Sequence, residues 1–546
     1  MVGAGGRGYG AYGAYARAHP DEVRFVAVAE PDPVRRARFA EAHHIPIDRQ
    51  FESWQDLAAH PALAPAAVDA TMDPAHYASA LSLLDAGYDL LLEKPMAVTP
   101  DQCVALVRTA ERRGRLLQIC HVLRYAPFFR TIHDLVVGGR LGEIVALEWN
   151  ENLVYWHFAH SFIRGNWSNS TRSGPMILTK CCHDLDLLVW MLGGRPLRVA
   201  SFGSLRHFRP NNVAADIPDR CTDGCPIEAE CPYFAPRVYI EHDPGRWARD
   251  PLSLDHSPSA LRRALESGPY GRCVYRSDND VVDHQVVALE FADGLAATLT
   301  MQGASPVEGR TLRIDGLRAT LLGNEARNEL ELHDHRTGRS EVLRPGAEGG
   351  HGGGDQGIMR AFLGALRGDD RDLLTTAAES LDSHLLAFAA EEARLTRRVV
   401  ETSEYWARSA PRWRCPRDTA ALHYDVAAGY DAGSATRPGV MPVPPLIPAP
   451  AEIHPRDAEA FTFGAGTQIV LGQRASDETL FAARQTQAAV REATGLLLPV
   501  RKSVQPRVAG SHIELLQIGR DQPAEGRDDQ SSRRSGCDTP AAVRST

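Results

Sequence analysis

Apolar residues in the first 120 positions fall into short continuous runs separated by stretches of helical spacing. The runs are "VRFVAVAE" (Val23 to Glu30), "AAVDATM" (Ala66 to Met72), "YDLLLEKP" (Tyr88 to Pro95) and "RLLQICHV" (Arg115 to Val122). Runs this apolar suit parallel strands covered on both faces, and their alternation with helices predicts a doubly wound α/β nucleotide-binding domain over residues 1–120. Over residues 121–404 the pattern changes. "EIVALEWNEN", "VVDHQVVALEF", "AATLTMQG" and "RTLRIDG" are strand-like with no helix between them, and "HDLDLLVWMLG" and "GIMRAFLGALRG" are helical. This predicts an α+β domain with an open, mainly antiparallel sheet. Residues 405–443 read as a linker, and the proline-rich "GVMPVPPLIPAPAEI" marks a stiff boundary. Residues 444–526 predict a small α+β unit: strand "TQIVL", helix "SDETLFAARQTQAAVREATG" between an Asp477 N-cap and Gly495, and strand "SHIELLQIG". Residues 527–546 carry no apolar pattern and are expected to be disordered.

Composition narrows the classes. The chain has 546 residues, 43% hydrophobic and 24% charged, which are globular values for two to four domains. A formal net charge of −9 argues against a nucleic-acid partner. No stretch approaches the ~20 apolar residues of a membrane span. No signal peptide precedes the glycine loop described next, so the expected location is the cytoplasm. Of 60 basic residues only three are lysine: Lys94, Lys180 and Lys502. A surviving lysine can shift its pKa and pass a proton, which arginine cannot; the alternative reading is that the three survived by accident.

The opening "MVGAGGRGYGAYG" contains Gly3, Gly5 and Gly8 as a G-x-G-x-x-G loop, with Gly6 and Arg7 inside it. Such a loop makes a tight turn, lets backbone approach a pyrophosphate, and opens a helix whose N-terminus faces the anion. Only Met1 and Val2 precede it where a strand is expected, which reads as a late start. Glu30 ends the next strand 22 residues after Gly8, where an acid meets a ribose 2′-hydroxyl. A carboxylate there favours NAD; Arg35 and Arg36 nearby would favour NADP, and both cofactors stay open. Thr71, His76, Glu93 and Lys94 complete the candidate cofactor edge.

Glu93, Lys94 and Pro95 stand at the C-terminal end of a parallel strand, the edge where open α/β sheets bind ligands. In "GPMILTKCCHDLDLLVWMLG", Lys180 and His183 are one helical turn apart, and Asp186 lies one turn further on, where it would orient the histidine ring. A histidine so held is a natural base for a hydroxyl proton. Lys94, Lys180, His183 and Asp186 are therefore the candidate catalytic residues.

Together these residues resemble the Gfo/Idh/MocA family of NAD(P)-dependent oxidoreductases over residues 1 to about 400. The likeness is carried by "GAGGRG", "EKP", "HDLDLLVWMLG" and "GGGDQGIMRAFLGAL". It implies a Rossmann domain, a following α/β domain whose sheet often mediates homo-oligomers, and hydride transfer between nicotinamide C4 and a carbon of a sugar or cyclitol. Lys94 and His183 then correspond to the family's catalytic lysine and histidine. The sequence departs at Thr179, where the family often has Asp. Some relatives oxidise a sugar transiently with NAD and cleave its glycosidic bond by elimination, which is the enzymatic alternative; a non-catalytic NAD(P)- or sugar-binding protein is the other. Separately, residues 444–526 resemble the N-terminal, non-catalytic domain of family 20 β-hexosaminidases through "PPLIPAPAEIHPRDAEAFTFGAGTQIVL" and "AAVREATGLLLPV".

Candidate substrate residues are Arg124 and Tyr125 in "HVLRYAPFF", and Trp156, His157, Arg164 and Asn166 in "YWHFAHSFIRGNW"; the same residues also suit a packed sheet face with its salt bridges. "CTDGCPIEAECPY" and "GPYGRCVY" place Cys221, Cys225, Cys231 and Cys273 in an insert at about 210–275. Four thiolates would suit zinc or an iron–sulfur cluster, and reduced thiols are the alternative.

Overall fold

The computed structural model describes residues 1–410 apart from 347–348, together with the strand segments 468–472, 500–503, 512–516 and 542–545. The chain divides into two units, Met1–Cys415 and Pro416–Thr546.

The first 120 residues form the expected parallel sheet. Its strands are β1 (Val28–Ala29), β2 (Gln50–Phe51), β3 (Ala66–Asp69), β4 (Asp89–Leu92) and β5 (Leu117–Ile119). β2 pairs with β1, and β3, β4 and β5 pair in that order, all parallel. Between β1 and β3 the connecting strand is the chain start itself. Val2 bridges both Ala29 and Asp69. The Val2 and Gly3 amides donate to Val68 and Ala29 at 2.9 and 2.8 Å, and the Met1 and Val2 carbonyls accept from Ala29 and Ala70 at 2.9 and 2.8 Å. Residues 1–3 thus supply the central rung that a longer strand would supply. The expected strand over Val23–Glu30 contracts to Val28–Ala29, because a ladder exists only where a neighbouring backbone lies opposite.

The second part of this unit is built on a nine-stranded sheet. Its strands are β6 (Ile144–Val154), β7 (Arg198–Ser204), β8 (His284–Glu290), β9 (Ala296–Ser305), β10 (Gly309–Gly316), β11 (Ala319–Asn324), β12 (Glu329–Asp334), β13 (Ser340–Leu343) and β14 (Val400–Glu401). The order is β13-β12-β11-β10-β6-β9-β8-β7-β14. Only the β6–β9 pair is parallel. Alternate residues face inward: Leu147, Trp149, Glu151 and Leu153 on β6, and Val287 and Leu289 on β8, are buried. The helix Ala377–Thr396 packs on β7 and against the helix Cys182–Leu192. Ser204 pairs directly with His284, so residues 205–283 are an insertion between two hairpin-related strands. It carries a small core of its own, formed by Cys221, Ala235, Val238, Tyr239, Leu265 and Tyr270.

Two sequence expectations need correction. Residues 402–409, partly assigned to the linker, form a helix (Thr402–Ser409) anchored by Trp406, whose Nε1 donates to Asp382 at 2.9 Å. The rest of the linker, and the helix expected over residues 477–495, lie outside the described residues. In the second unit, Gln468–Gly472 pairs in parallel with Val500–Ser503 and His512–Leu516. Ala542–Ser545, inside the stretch expected to be disordered, is a strand antiparallel to His512–Leu516. Four residues with an apolar pair at Ala542 and Val543 are too few to give a visible period, yet a partner edge suffices to order them.

Candidate active site

The glycine loop has the shape its sequence asks for. Gly3 has φ +82°, and a Cβ there would overlap the Ala70 carbonyl; a Cβ on Gly8 would overlap the Gly3 carbonyl. Gly5 and Gly6 face open space, with no atom within 4 Å of where a Cβ would stand. The closed positions set the turn and the open ones leave room for a pyrophosphate beside the helix start. Glu30 closes this edge. Its carboxylate accepts from the Ala4 and Asp32 amides at 2.7 and 3.1 Å. Arg36 is occupied, donating to the Glu30 carbonyl at 2.6 Å and pairing with Glu52 at 3.4 Å. Arg35 sits half-buried on the helix Pro33–Ala42. The loop, the helix start and the acid fit an NAD-type dinucleotide.

Other residues of the cofactor edge brace the backbone. His76 Nδ1 and Nε2 lie 2.7 and 3.1 Å from the Pro95 and Thr71 carbonyls, tying the ends of β3 and β4 together. Arg7 turns away from the loop to bond Glu93 and, at 2.9 Å to each oxygen, Asp355 at the start of the helix Gly354–Leu366. Tyr12 bonds the same Glu93 oxygen. Burial works against the Glu93 charge, but Arg7, Tyr12 and Lys94 outweigh it and hold its pKa below the ordinary carboxylate value. Asp355 was missed as an individual residue, although it lies inside the quoted "GGGDQGIMRAFLGAL".

Lys94 follows β4, and its Nζ donates to the Thr179 carbonyl at 2.8 Å. The position where the family often has an acid therefore still meets the lysine, through backbone rather than side chain. His183 opens the helix Cys182–Leu192 and is buried; its Nδ1 has no hydrogen-bond partner among the described residues. Burial, then the positive charge of Lys94, push its pKa well below the ordinary value, so the ring is neutral. Lys94, at the C-terminal edge of the parallel sheet, is thus near enough for its charge to act on the His183 ring. Trp167 lies on the same side, 6.0 Å from Lys94 Nζ, and donates to Asp73 at 2.7 Å.

Asp186 does not orient His183. It accepts two 2.7 Å bonds from Arg124 and lies 3.7 Å from His121. Burial opposes its charge, but Arg124 and His121 prevail and lower its pKa. Arg124 is 1% exposed, so it is spent on Asp186 rather than offered to a substrate. Tyr125 is likewise internal, bonding Gln118 and the Leu374 amide at 2.9 Å each. Lys180 has different partners from Lys94. It pairs with Glu151 at 3.0 Å and Glu308 at 3.6 Å. Burial disfavours its charge, yet these two carboxylates hold its pKa above the usual lysine value. Arg310 completes a buried network with Glu151 at 2.7 Å and Asp184 at 2.6 Å. Glu151 and Arg310 were missed, although each is a charged residue on the inward face of an alternating strand, which is a readable signal.

Of the remaining substrate candidates, His157 pairs with Glu308 at 2.9 Å and Trp156 packs against Trp247 at 5.6 Å. Asn166 is exposed beside Met72. Arg164 is buried under the insert, donating to the Arg272 and Tyr233 carbonyls at 2.7 Å. The metal expectation is not met. Among the described residues no group of three or more His, Cys, Asp or Glu side chains is arranged to hold a metal ion. Cys221, Cys225, Cys231 and Cys273 are free thiols. Arg164 donates to Cys221 at 3.4 Å, and burial raises the pKa of Cys231 and Cys273. Thiols packed beside a guanidinium form part of the insert's interior.

Comparison with known proteins agrees with this geometry. Residues 1–121 match the model described as "Oxidoreductase family, NAD-binding Rossmann fold", and residues 133–402 match "Oxidoreductase family, C-terminal alpha/beta domain". The chain is 24% identical to the oxidoreductase YteT of Bacillus subtilis (strain 168) over 312 residues, 54% of this chain and 70% of that protein. It is 30% identical to inositol 2-dehydrogenase of Burkholderia multivorans over 173 residues, 31% of this chain and 47% of that one. The structure of a levoglucosan dehydrogenase complexed with NADH and levoglucosan superposes with a TM-score of 0.55 at 14% identity, covering 73% of this chain and 97% of the other. With both domain models matched across most of its length, the chain belongs to the Gfo/Idh/MocA family and is an NAD(P)-dependent oxidoreductase.

Proposed function

We propose that the protein is an NAD-dependent dehydrogenase that oxidises a secondary hydroxyl of a sugar or cyclitol to the ketone. The observation that carries this reading is a Lys94 ammonium whose charge acts on the buried, neutral His183 ring, with Nδ1 unpartnered among the described residues, at the sheet edge that also carries the open glycine cradle. Gly5, Gly6 and the helix start would hold the pyrophosphate and Glu30 the adenosine ribose. NAD, when bound, supplies the acceptor for the hydride at nicotinamide C4. Lys94 holds the reacting hydroxyl oxygen, and His183 takes its proton as the C–H electron pair departs, so alcohol and NAD become ketone, NADH and one proton. NAD is favoured over NADP because the Glu30 carboxylate would face a 2′-phosphate, while Arg36 is already bonded elsewhere. Relatives named for inositol, and a structural neighbour named for levoglucosan, point to the same substrate class.

Residues 444–526 are read as a hexosaminidase N-terminal-like module that adds no catalytic group. The outward face of the large sheet carries Phe202 directly opposite Val286, both exposed, which supports a homo-oligomer formed through that face.

The test is to mix purified protein with NAD and a panel of sugars and cyclitols while following NADH absorbance. NADH formation that is lost in Lys94→Ala is expected. Release of the aryl group from an aryl glycoside without net NADH would move the reading to oxidation and elimination. Cofactor binding with no turnover on any panel member would end the enzymatic reading of the substrate class.

A further inference from the structure

The insertion places an indole at the surface in an unusual way. Trp247, on the short helix Arg246–Arg249, is 50% exposed. It is nevertheless held by three rings: Trp156 at 5.6 Å, His157 at 4.7 Å edge-on, and His160 at 5.2 Å edge-on. His160 is fixed from below by stacking on Tyr270 at 4.7 Å and by a 2.8 Å bond to Tyr239. An indole kept rigid while half its surface faces water is the arrangement of a stacking platform.

The platform connects to the reacting centre through a line of polar groups. Lys94 bonds the Thr179 carbonyl, and the next residue, Lys180, pairs with Glu308 at 3.6 Å. Glu308 is 40% exposed, pairs with His157 at 2.9 Å, and His157 touches Trp247. Burial opposes the Glu308 charge, but the His157 bond and Lys180 outweigh it and leave the carboxylate ionised, with its pKa lowered to about 2. A half-exposed, ionised acid that contacts both Lys180, next in sequence to the Lys94 partner Thr179, and His157 of the aromatic cluster offers an acceptor for sugar hydroxyls, and the indole offers a flat surface for the C–H face of a ring.

We propose that Trp247, Trp156, His157 and Glu308 form a second sugar subsite, so that the substrate is a disaccharide or larger glycoside. One residue of it is oxidised at Lys94 and His183 while its neighbour stacks on Trp247. The inference rests on the dehydrogenase reading for what happens at the first ring, but the subsite itself is a matter of binding.

Binding is therefore measured directly, by isothermal titration of the NAD-saturated full chain. The probes are maltose, cellobiose, lactose and gentiobiose, against methyl glucoside and methyl galactoside. At least one disaccharide is expected to bind more tightly than both monosaccharides. Trp247→Ala should lower the ratio of disaccharide to monosaccharide affinity at least fivefold, Trp247→Phe should restore most of it, and Glu308→Gln should lower it independently. An unchanged melting temperature verifies that the fold is intact in these variants. Failure of every disaccharide to exceed the monosaccharides, or an unchanged ratio in Trp247→Ala, would overturn the subsite. Disaccharide binding that depends on Trp247 but yields no NADH would keep the subsite and remove the dehydrogenase reading.

Discussion

The two lysines of the candidate site make a sharp comparison, because the proposed mechanism gives them opposite roles. Lys180 sits in a buried ionic network. Glu151 beneath it is 1% exposed, and Lys180 and Arg310 are its ionic partners at 3.0 and 2.7 Å. Removing one partner of a buried pair costs ~3–5 kcal/mol. Arg310 remains in place, so Lys180→Met should fall at the lower end, about 3 kcal/mol. Lys94 is different. Among the described residues it makes one charged hydrogen bond, to the Thr179 carbonyl, worth ~1.5–3 kcal/mol where water is excluded, but Lys94 is only half-buried and water can take its place. Lys94→Met should therefore change stability by about 1 kcal/mol or less. For turnover the ranking inverts. Loss of a group that steers a proton lowers kcat by ~10²–10⁴, whereas loss of Lys180 acts only through small displacements.

The assay pairs thermal melting with kcat on the best substrate of the sugar and cyclitol panel. The expected pattern is a destabilised, largely active Lys180→Met and a stable, nearly inactive Lys94→Met, with Lys180→Arg restoring stability. A hundredfold loss of kcat in Lys180→Met at unchanged melting temperature would show that Lys180 belongs to the chemistry. Retention of more than a tenth of wild-type kcat in Lys94→Met would refute the role assigned to Lys94.

Glu30→Ser removes the carboxylate that faces the ribose site, and the KM for NADP should fall relative to that for NAD by tenfold or more; an unchanged ratio would show that Glu30 does not read the 2′ position. His121, His160 and His384 are buried, and burial lowers their pKa values to about 3, 3 and 4. The unfolded chain binds these protons near pH 6.5 and the folded chain does not, so the stability they contribute is full above that pH and is lost as pH falls below it. The loss is at most about 4 kcal/mol per pH unit for the three together. Melting temperature should drop between pH 6.5 and 5.5, and a flat or rising profile in that window would contradict the burial argument. Phe202→Glu places a charge on the exposed apolar pair with Val286 and should reduce the molecular mass seen by light scattering; the same mass in both proteins would move the oligomer contact elsewhere.

What the sequence made legible was whatever depends on local period or on a short motif. The parallel strands around Val68, Leu91 and Gln118, the glycine turn, and the helix bearing His183 all follow from spacing within about ten residues. β12 was within reach too, since "ELELHD" alternates strictly. The ionic partners were not legible. Asp186 meets Arg124 from 62 positions away, and Arg310 meets Asp184 from 126 away, distances at which no pattern constrains the pair. The helical rule that Asp186 shares a face with His183 held for the backbone. It failed for the side chain because a guanidinium 2.7 Å away is a stronger partner than a neutral ring. Of the two readings left open for the cysteines, the geometry sides with reduced thiols: cysteine spacing gave proximity in sequence, but among the described residues the thiols are not arranged to hold a metal ion.

The misread acid explains how His183 is placed. Successive helical residues are rotated by about 100°, so seen from His183 the Asp184 side chain stands at about +100° and Asp186 at about −60°. Each is clamped by an arginine from a different part of the fold: Arg310 from β10 on Asp184, with Trp149 of β6 adding a 2.8 Å bond, and Arg124 on Asp186. Two ionic clamps on either side of one azimuth fix the rotation of the helix, and with it the direction of the ring between them. The imidazole therefore needs no partner of its own to be held, and its Nδ1 stays unpartnered among the described residues. A base oriented by a hydrogen bond must share its lone pair or proton with the group that orients it, whereas one oriented by its helix shares neither. The buried charges around Asp184 and Asp186 are costly in isolation, and their value to the protein lies in this angular control rather than in stability.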